Sequence, residues 1–145
     1  MKLFLYKSIM SVVPTLFFIE VILLMTRQEL KAFIYEVYGI KPDCPWLKYP
    51  FYEVFRHGDS KKWFAVIMDI PKSKLGINSN ENISVVNLKC DTLMMGDVLS
   101  EKGIYPAYHM NKAYWVTASL DGSTDSETIK MLTRMSFELT GKKKK

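Results

Sequence analysis

Between Lys61 and Asp69 the chain carries apolar side chains on both faces of an extended run. Side chains alternate along a strand with a period of two. Trp63, Ala65 and Ile67 are therefore expected on one face, and Phe64, Val66 and Met68 on the other. A strand with no polar face belongs in the interior of a sheet. The run from Phe51 to His57 precedes it across Gly58-Asp59-Ser60, so the two read as a hairpin with a bulge.

The other elements follow around this strand. Thr26-Arg27-Gln28-Glu29 has the form of a capping box, and Leu30, Phe33, Ile34 and Val37 recur on one helical face before a stop at Gly39. Pro42, Pro45 and Pro50 make the next stretch an irregular connection, and residues 70 to 82 a loop. Ile83 to Cys90 reads as a strand, with Val86, Leu88 and Cys90 on one face and Val85, Asn87 and Lys89 on the other. Asp91 is expected to cap a short helix ending at Gly103. Tyr114 to Leu120 is a strand, with Tyr114, Val116, Ala118 and Leu120 facing one way and Trp115, Thr117 and Ser119 the other. Thr124-Asp125-Ser126-Glu127 opens a last helix with Ile129, Leu132, Met135 and Leu139 facing inward. Helices at both ends and strands between them predict an α+β, two-layer sandwich with a mainly antiparallel sheet.

One such domain accounts for residues 25 to 141. The chain has 145 residues, enough for one core and too few for two ordinary domains. Its net charge of +5 lies outside that domain. Four lysines form the tail 142–145, and the 14 basic residues of 25 to 141 are matched by 14 acidic ones. Residues 1 to 24 form an apolar leader with Pro14 and Glu20 inside it. Three readings stand for it: a mis-assigned start upstream of Met25, a membrane anchor, or a signal peptide. An acidic group at a bilayer centre costs about 2.5–3.5 kcal/mol, which weighs against the anchor. The two cysteines, Cys44 and Cys90, are far apart and read as reduced thiols of a cytoplasmic protein.

Catalytic patterns are missing from the sequence. It contains no G-x-G-x-x-G, G-x-x-x-x-G-K, G-x-S-x-G or H-E-x-x-H. The potential metal ligands Cys44, His57, Cys90 and His109 lack the close pair spacing of structural zinc sites. No cofactor and no enzymatic activity are expected.

Two features point to binding. Arg56, His57, Lys61 and Lys62 bracket the first hairpin tip with only Asp59 opposing them, a shape suited to lying along a phosphate backbone. The stretch from Tyr105 to Thr117 interleaves aromatics with His109, Asn111 and Lys112, and places Trp115 on the more polar strand face. Trp115 is either a stacking or anchoring side chain or a core residue under a helix.

Tyr105-Pro106-Ala107-Tyr108-His109-Met110-Asn111-Lys112, then Trp115-Val116-Thr117 and Leu120-Asp121-Gly122, resembles the signature of the MmcQ/YjbR family. Val54-Phe55-Arg56-His57 with Lys62-Trp63-Phe64-Ala65, and Asn87-Leu88-Lys89-Cys90, resemble its other two blocks in order. The resemblance covers about residues 26 to 140. It implies a small bacterial α+β domain, similar to secretion-chaperone and frataxin-like sandwiches, that binds DNA through a double-wing arrangement of strands. Arg56, His57, Lys61 and Lys62 would form one wing, and His109, Asn111, Lys112 and Trp115 a second surface. The resemblance carries over no catalytic residue. The alternative is a chaperone-like adaptor that engages a protein partner or a second copy of itself. A membrane partner enters only if the leader is retained.

Overall fold

The computed structural model describes residues 25–143. The leader 1–24 and the final residues 144–145 lie outside the described residues, and with them the three readings of the leader. Helix α1 spans Arg27–Tyr38. The expected capping box is formed: Thr26 Oγ1 accepts from the Glu29 N–H at 3.2 Å, and the Glu29 carboxylate accepts from the Thr26 N–H at 3.4 Å. Gly39 ends the helix in the left-handed region with φ 68°, where a residue without Cβ is unstrained. Leu30, Phe33 and Ile34 are buried, but Val37 is exposed. In the last turn Tyr38 takes the inward place, stacked on Phe137 with centroids 3.8 Å apart.

Strands β1 (Glu53–Arg56), β2 (Trp63–Pro71), β3 (Asn82–Lys89), β4 (Ile104–Pro106) and β5 (Trp115–Ser119) form one sheet in the order β1-β2-β3-β5-β4, with every pairing antiparallel. The run apolar on both faces is β2, with neighbours on both sides. It continues to Pro71 and into a single 3₁₀ turn, Lys72–Leu75, within the stretch expected to be a loop.

Helix α2 covers only Met95–Leu99. Asp91 does not cap it; its carboxylate accepts from the Leu93 N–H at 2.8 Å and makes a local turn instead. The edge strand β4 was not foreseen, since three residues ending in proline give too short a pattern to read. Helix α3 spans Ser126–Thr140. Its N-cap is Asp125, whose carboxylate accepts from the Thr128 N–H, one residue later than the sequence suggests. Thr124 is buried instead, 2.8 Å from the Ser119 hydroxyl. The inward positions of α3 are Ile129, Leu132, Thr133, Ser136 and Thr140, while Leu139 points to solvent.

The three helices of the described residues contribute to one core on one face of the sheet, with Leu30, Ile34, Val98, Ile129 and Leu132 packed against Phe55, Ile67, Val86, Leu88, Val116 and Ala118. Among the described residues no α-helix covers the opposite face, here termed helix-free. Its smaller cluster of Val54, Val66, Met68, Ile70, Ile83 and Val85 is flanked by Trp46, Tyr52, Trp63, Leu75 and Tyr108.

The β1–β2 register jumps from Phe55↔Ala65 to Arg56↔Trp63, which is a bulge at Phe64. It corrects the expected faces. Phe64 joins Ala65 and Ile67 under the helices, and Trp63 joins Val66 and Met68 on the helix-free face. The Ser136 hydroxyl sits at this point. It accepts from the Lys89 N–H at 2.8 Å and donates to the Phe64 carbonyl, replacing the direct bond that the β2–β3 register would place there.

Candidate functional site

The antiparallel pairings bring both sequence-predicted clusters to the same end of the sheet. The hairpin tip 57–62 opens into Trp63, Ala65 lies beside Leu88, and Lys89 lies beside Trp115. Strand alternation then sets Arg56, Trp63, Lys89 and Trp115 on the helix-free face of four successive strands, Arg56 directly beside Trp63 and Lys89 directly beside Trp115. Cation and indole alternate along this row. The Arg56 guanidinium lies 5.3 Å from the Trp63 ring centroid. Trp115 is half-buried and lies under no helix among the described residues, while Tyr114, expected to begin the strand on the face of Val116, is exposed ahead of it.

The hairpin cations divide. Arg56 Nε is 3.2 Å from both carboxylate oxygens of Asp43, so it is a paired cation. Lys61 and Lys62 are exposed, and among the described residues neither has a carboxylate within 4 Å. Lys61 adopts φ 62°, a left-handed conformation costly for a side-chain-bearing residue. His57 does not belong to the wing. Only 6% exposed, it packs against Phe64 and Phe137 and shares a 2.8 Å hydrogen bond with Thr140 Oγ1. The expected contact with DNA is therefore withdrawn for His57: its ring turns under the sheet and ties the hairpin to the end of α3.

That tie has a consequence absent from the sequence reading. The end of α3 delivers the basic tail to the hairpin tip, with Lys142 Nζ 3.5 Å from Asp59. The Ser60 backbone N–H, helped by the Lys142 charge, holds the Asp59 carboxyl below the usual range. The tail that looked separate from the domain starts at the same end as Lys61, Lys62 and Lys89.

The second cluster is held by a buried polar network. Thr117 Oγ1 donates to Asn87 Oδ1 at 2.5 Å, Asn87 Nδ2 donates to the Tyr108 carbonyl at 2.7 Å, and the Tyr108 N–H donates to Thr117 Oγ1 at 2.9 Å. This network fixes the 107–110 segment over the sheet. His109, at φ 58°, stands exposed at its edge with its ring 4.0 Å from that of Tyr108. Asn111 and Lys112 are exposed in the following turn, where Asn111 accepts from the Ala113 N–H.

Between the clusters the helix-free face holds a cavity of about 200 Å³. Val66 and Met68 form its floor, Trp46, Tyr49, Tyr52 and Trp63 one side, and Asn87, His109 and Met110 the other. Trp46 stands edge-on to Trp63 at 5.5 Å and to Tyr52 at 6.3 Å. Burial pushes the Tyr52 phenol up, reinforced by Tyr108, Tyr49 and Asp69. Sequence reading missed this cavity because Trp46 and Tyr49 lie in the proline-rich connection, which carries no periodic signal.

The same geometry bears on chemistry. Burial, with the Asp91 carboxylate beside it, pushes the Cys90 thiol up, which disfavours the thiolate a nucleophile needs. Cys44 is exposed. Among the described residues no three His, Cys, Asp or Glu side chains group closely enough to hold a metal ion, and no helix is long and apolar enough to cross a membrane.

Together these features define a two-layer α+β domain with one helix-covered sheet face and one that no α-helix covers among the described residues, which carries an aromatic cavity beside a basic end. The chain belongs to the YjbR family, whose model matches residues 35–139. It is 36% identical over 117 residues to a Bacillus subtilis protein named Uncharacterized protein YyaQ, covering 81% of this chain and 99% of the relative. It is similar to a Pseudomonas syringae protein of known crystal structure, with 44% identity, a TM-score of 0.78, and coverage of 81% of this chain and all of the other. A Deinococcus radiodurans crystal structure, at 23% identity and a TM-score of 0.61 over 83% of this chain and 81% of the other, agrees in fold.

Proposed function

We propose that this protein is a DNA-binding module without catalytic activity, and that DNA lies across the basic end of its helix-free sheet face. The observation that carries this reading is the row Arg56, Trp63, Lys89, Trp115, flanked by Lys61, Lys62, Lys112 and Lys142. Phosphate contacts supply most nonspecific affinity, and aromatic side chains between them offer stacking surfaces. The domain as a whole is neutral, so attraction depends on this local concentration of cations rather than on net charge.

Fluorescence anisotropy with labelled oligonucleotides tests the reading. Binding should weaken steeply between about 50 and 200 mM salt. Replacing Lys61 and Lys62 together by alanine should reduce the log–log salt slope by roughly 1.5–2. Lys72→Ala, at the opposite end of β2 and paired with Glu81, should leave the slope unchanged. The full chain and a chain ending at Gly141 should both bind, the shorter one more weakly. Absence of binding at low salt, or indifference to the double substitution, refutes the proposal.

One observation favours the second reading, a protein-interaction adaptor. Leu47 and Phe51 are 101% and 74% exposed, beside Tyr49 at the cavity. Apolar side chains grouped in this way are a feature of partner surfaces. A strictly monomeric mass by light scattering, together with a pull-down that captures nothing released by Leu47→Ser, would remove that reading.

A further inference from the structure

We infer that the aromatic cavity on the helix-free face receives one unpaired nucleobase, making the protein selective for single-stranded over duplex DNA. This inference rests on the DNA-binding reading above and specifies its substrate. The size fits. A protein cavity of about 150 Å³ holds a benzene, so about 200 Å³ has room for one flat heterocycle. The walls fit as well, since Trp46, Tyr49, Tyr52 and Trp63 offer ring surfaces against which a base can stack.

Specific polar groups meet the edge of such a ring. Asn87 is 1% exposed and lines the cavity. It spends one N–H on the Tyr108 carbonyl and one oxygen lone pair on the Thr117 hydroxyl. An amide has two of each, so one donor and one acceptor remain, one on each flank of the amide. Either group can meet a complementary group on a base edge, and a duplex keeps that edge occupied. His109 adds a second polar group across the opening.

Charge complementarity identifies the occupant as a base carried on a strand, not a free aromatic molecule. Trp63 is both a wall of the cavity and a member of the cationic row, with the Arg56 guanidinium against its ring. Lys61, Lys62 and Lys89 lie at the same end of the sheet, where the phosphates flanking an inserted base would run.

The test compares a labelled ten-nucleotide thymidine strand, the same strand in duplex, and the same strand with abasic residues. The single strand should bind at least about 10-fold more tightly than the duplex and quench tryptophan fluorescence; the abasic strand should bind without quenching. Trp46→Ala and, as an exposed position that spares the fold, Tyr49→Ala should each weaken the single strand by roughly 5- to 100-fold. Duplex affinity should not change. If single strand and duplex bind equally and both variants are neutral, the cavity inference fails while the phosphate surface stands. If no oligonucleotide binds at low salt, the DNA-binding reading itself fails, and this inference with it.

Discussion

Replacing Ser136 by alanine removes one hydroxyl from a fully buried position, and the cost can be worked from its partners. The Lys89 N–H and the Phe64 carbonyl both bond to that hydroxyl, and neither has its register partner because the hydroxyl stands between them. An unsatisfied buried backbone group costs about 1–3 kcal/mol. Two such groups, partly relieved by relaxation, give an expected loss of about 2–4 kcal/mol. Domains of this size are stable by roughly 5–15 kcal/mol. The variant should therefore fold with a urea midpoint well below that of the wild type and a melting temperature lower by roughly 10 °C. Because the hydroxyl props the bulge that turns Trp63 to the free face, the tryptophan emission of the folded variant should shift too. A loss below about 0.5 kcal/mol would mean that β2 and β3 close up and bond directly, and the relay would then have no energetic role.

Three further outcomes follow from named contacts. Gly103 has φ 82°, and a Cβ there would stand 2.0 Å from Thr124 Oγ1 and 2.8 Å from Ser119 Oγ; Gly103→Ala should cost about 2–5 kcal/mol in urea unfolding, with partial rescue by Thr124→Ala, and strict additivity would refute the clash. Lys61→Gly relieves the left-handed strain at the hairpin tip and should stabilise by about 1 kcal/mol while weakening DNA binding, so a lower melting temperature would contradict the strain argument. At Asp121 burial pulls the carboxyl up, but hydrogen bonds from the Ser123 hydroxyl and N–H and from Ser119 together outweigh it and leave the group below its ordinary 3.8. A depressed folded pKa gives stability that is complete above the unfolded value and lost as pH falls through the folded one. The stability gap between wild type and Asp121→Asn should thus be constant near neutrality and close in acid; a gap that widens in acid would reverse the assignment.

Some of this molecule is written locally. Thr26 and Glu29 are three residues apart, Gly39 directly follows its helix, and the two-faced run of β2 needs only its own side chains to declare itself central. Such signals act within a turn or a strand, so the order of the longer helices and strands, the α+β class and the first hairpin were legible. The family signature was legible for the same reason.

What escaped depends on contacts between residues distant in the chain. Ser136 acts on Phe64 across 72 positions, and the bulge there decides which face Trp63 occupies. Thr140 captures His57 across 83 positions, which takes the imidazole out of the hairpin tip and brings Lys142 to it. No periodicity records either event, since a side chain's face depends on the register of the strand opposite it. The sequence by itself determined the longer helices and strands and the presence of cations near two turns, but not the edge strand β4 or the faces of Trp63 and Phe64. Only the tertiary structure decided that those turns share one end of a sheet beside an aromatic cavity, because antiparallel pairing is a long-range constraint that brings together residues that chain order keeps apart.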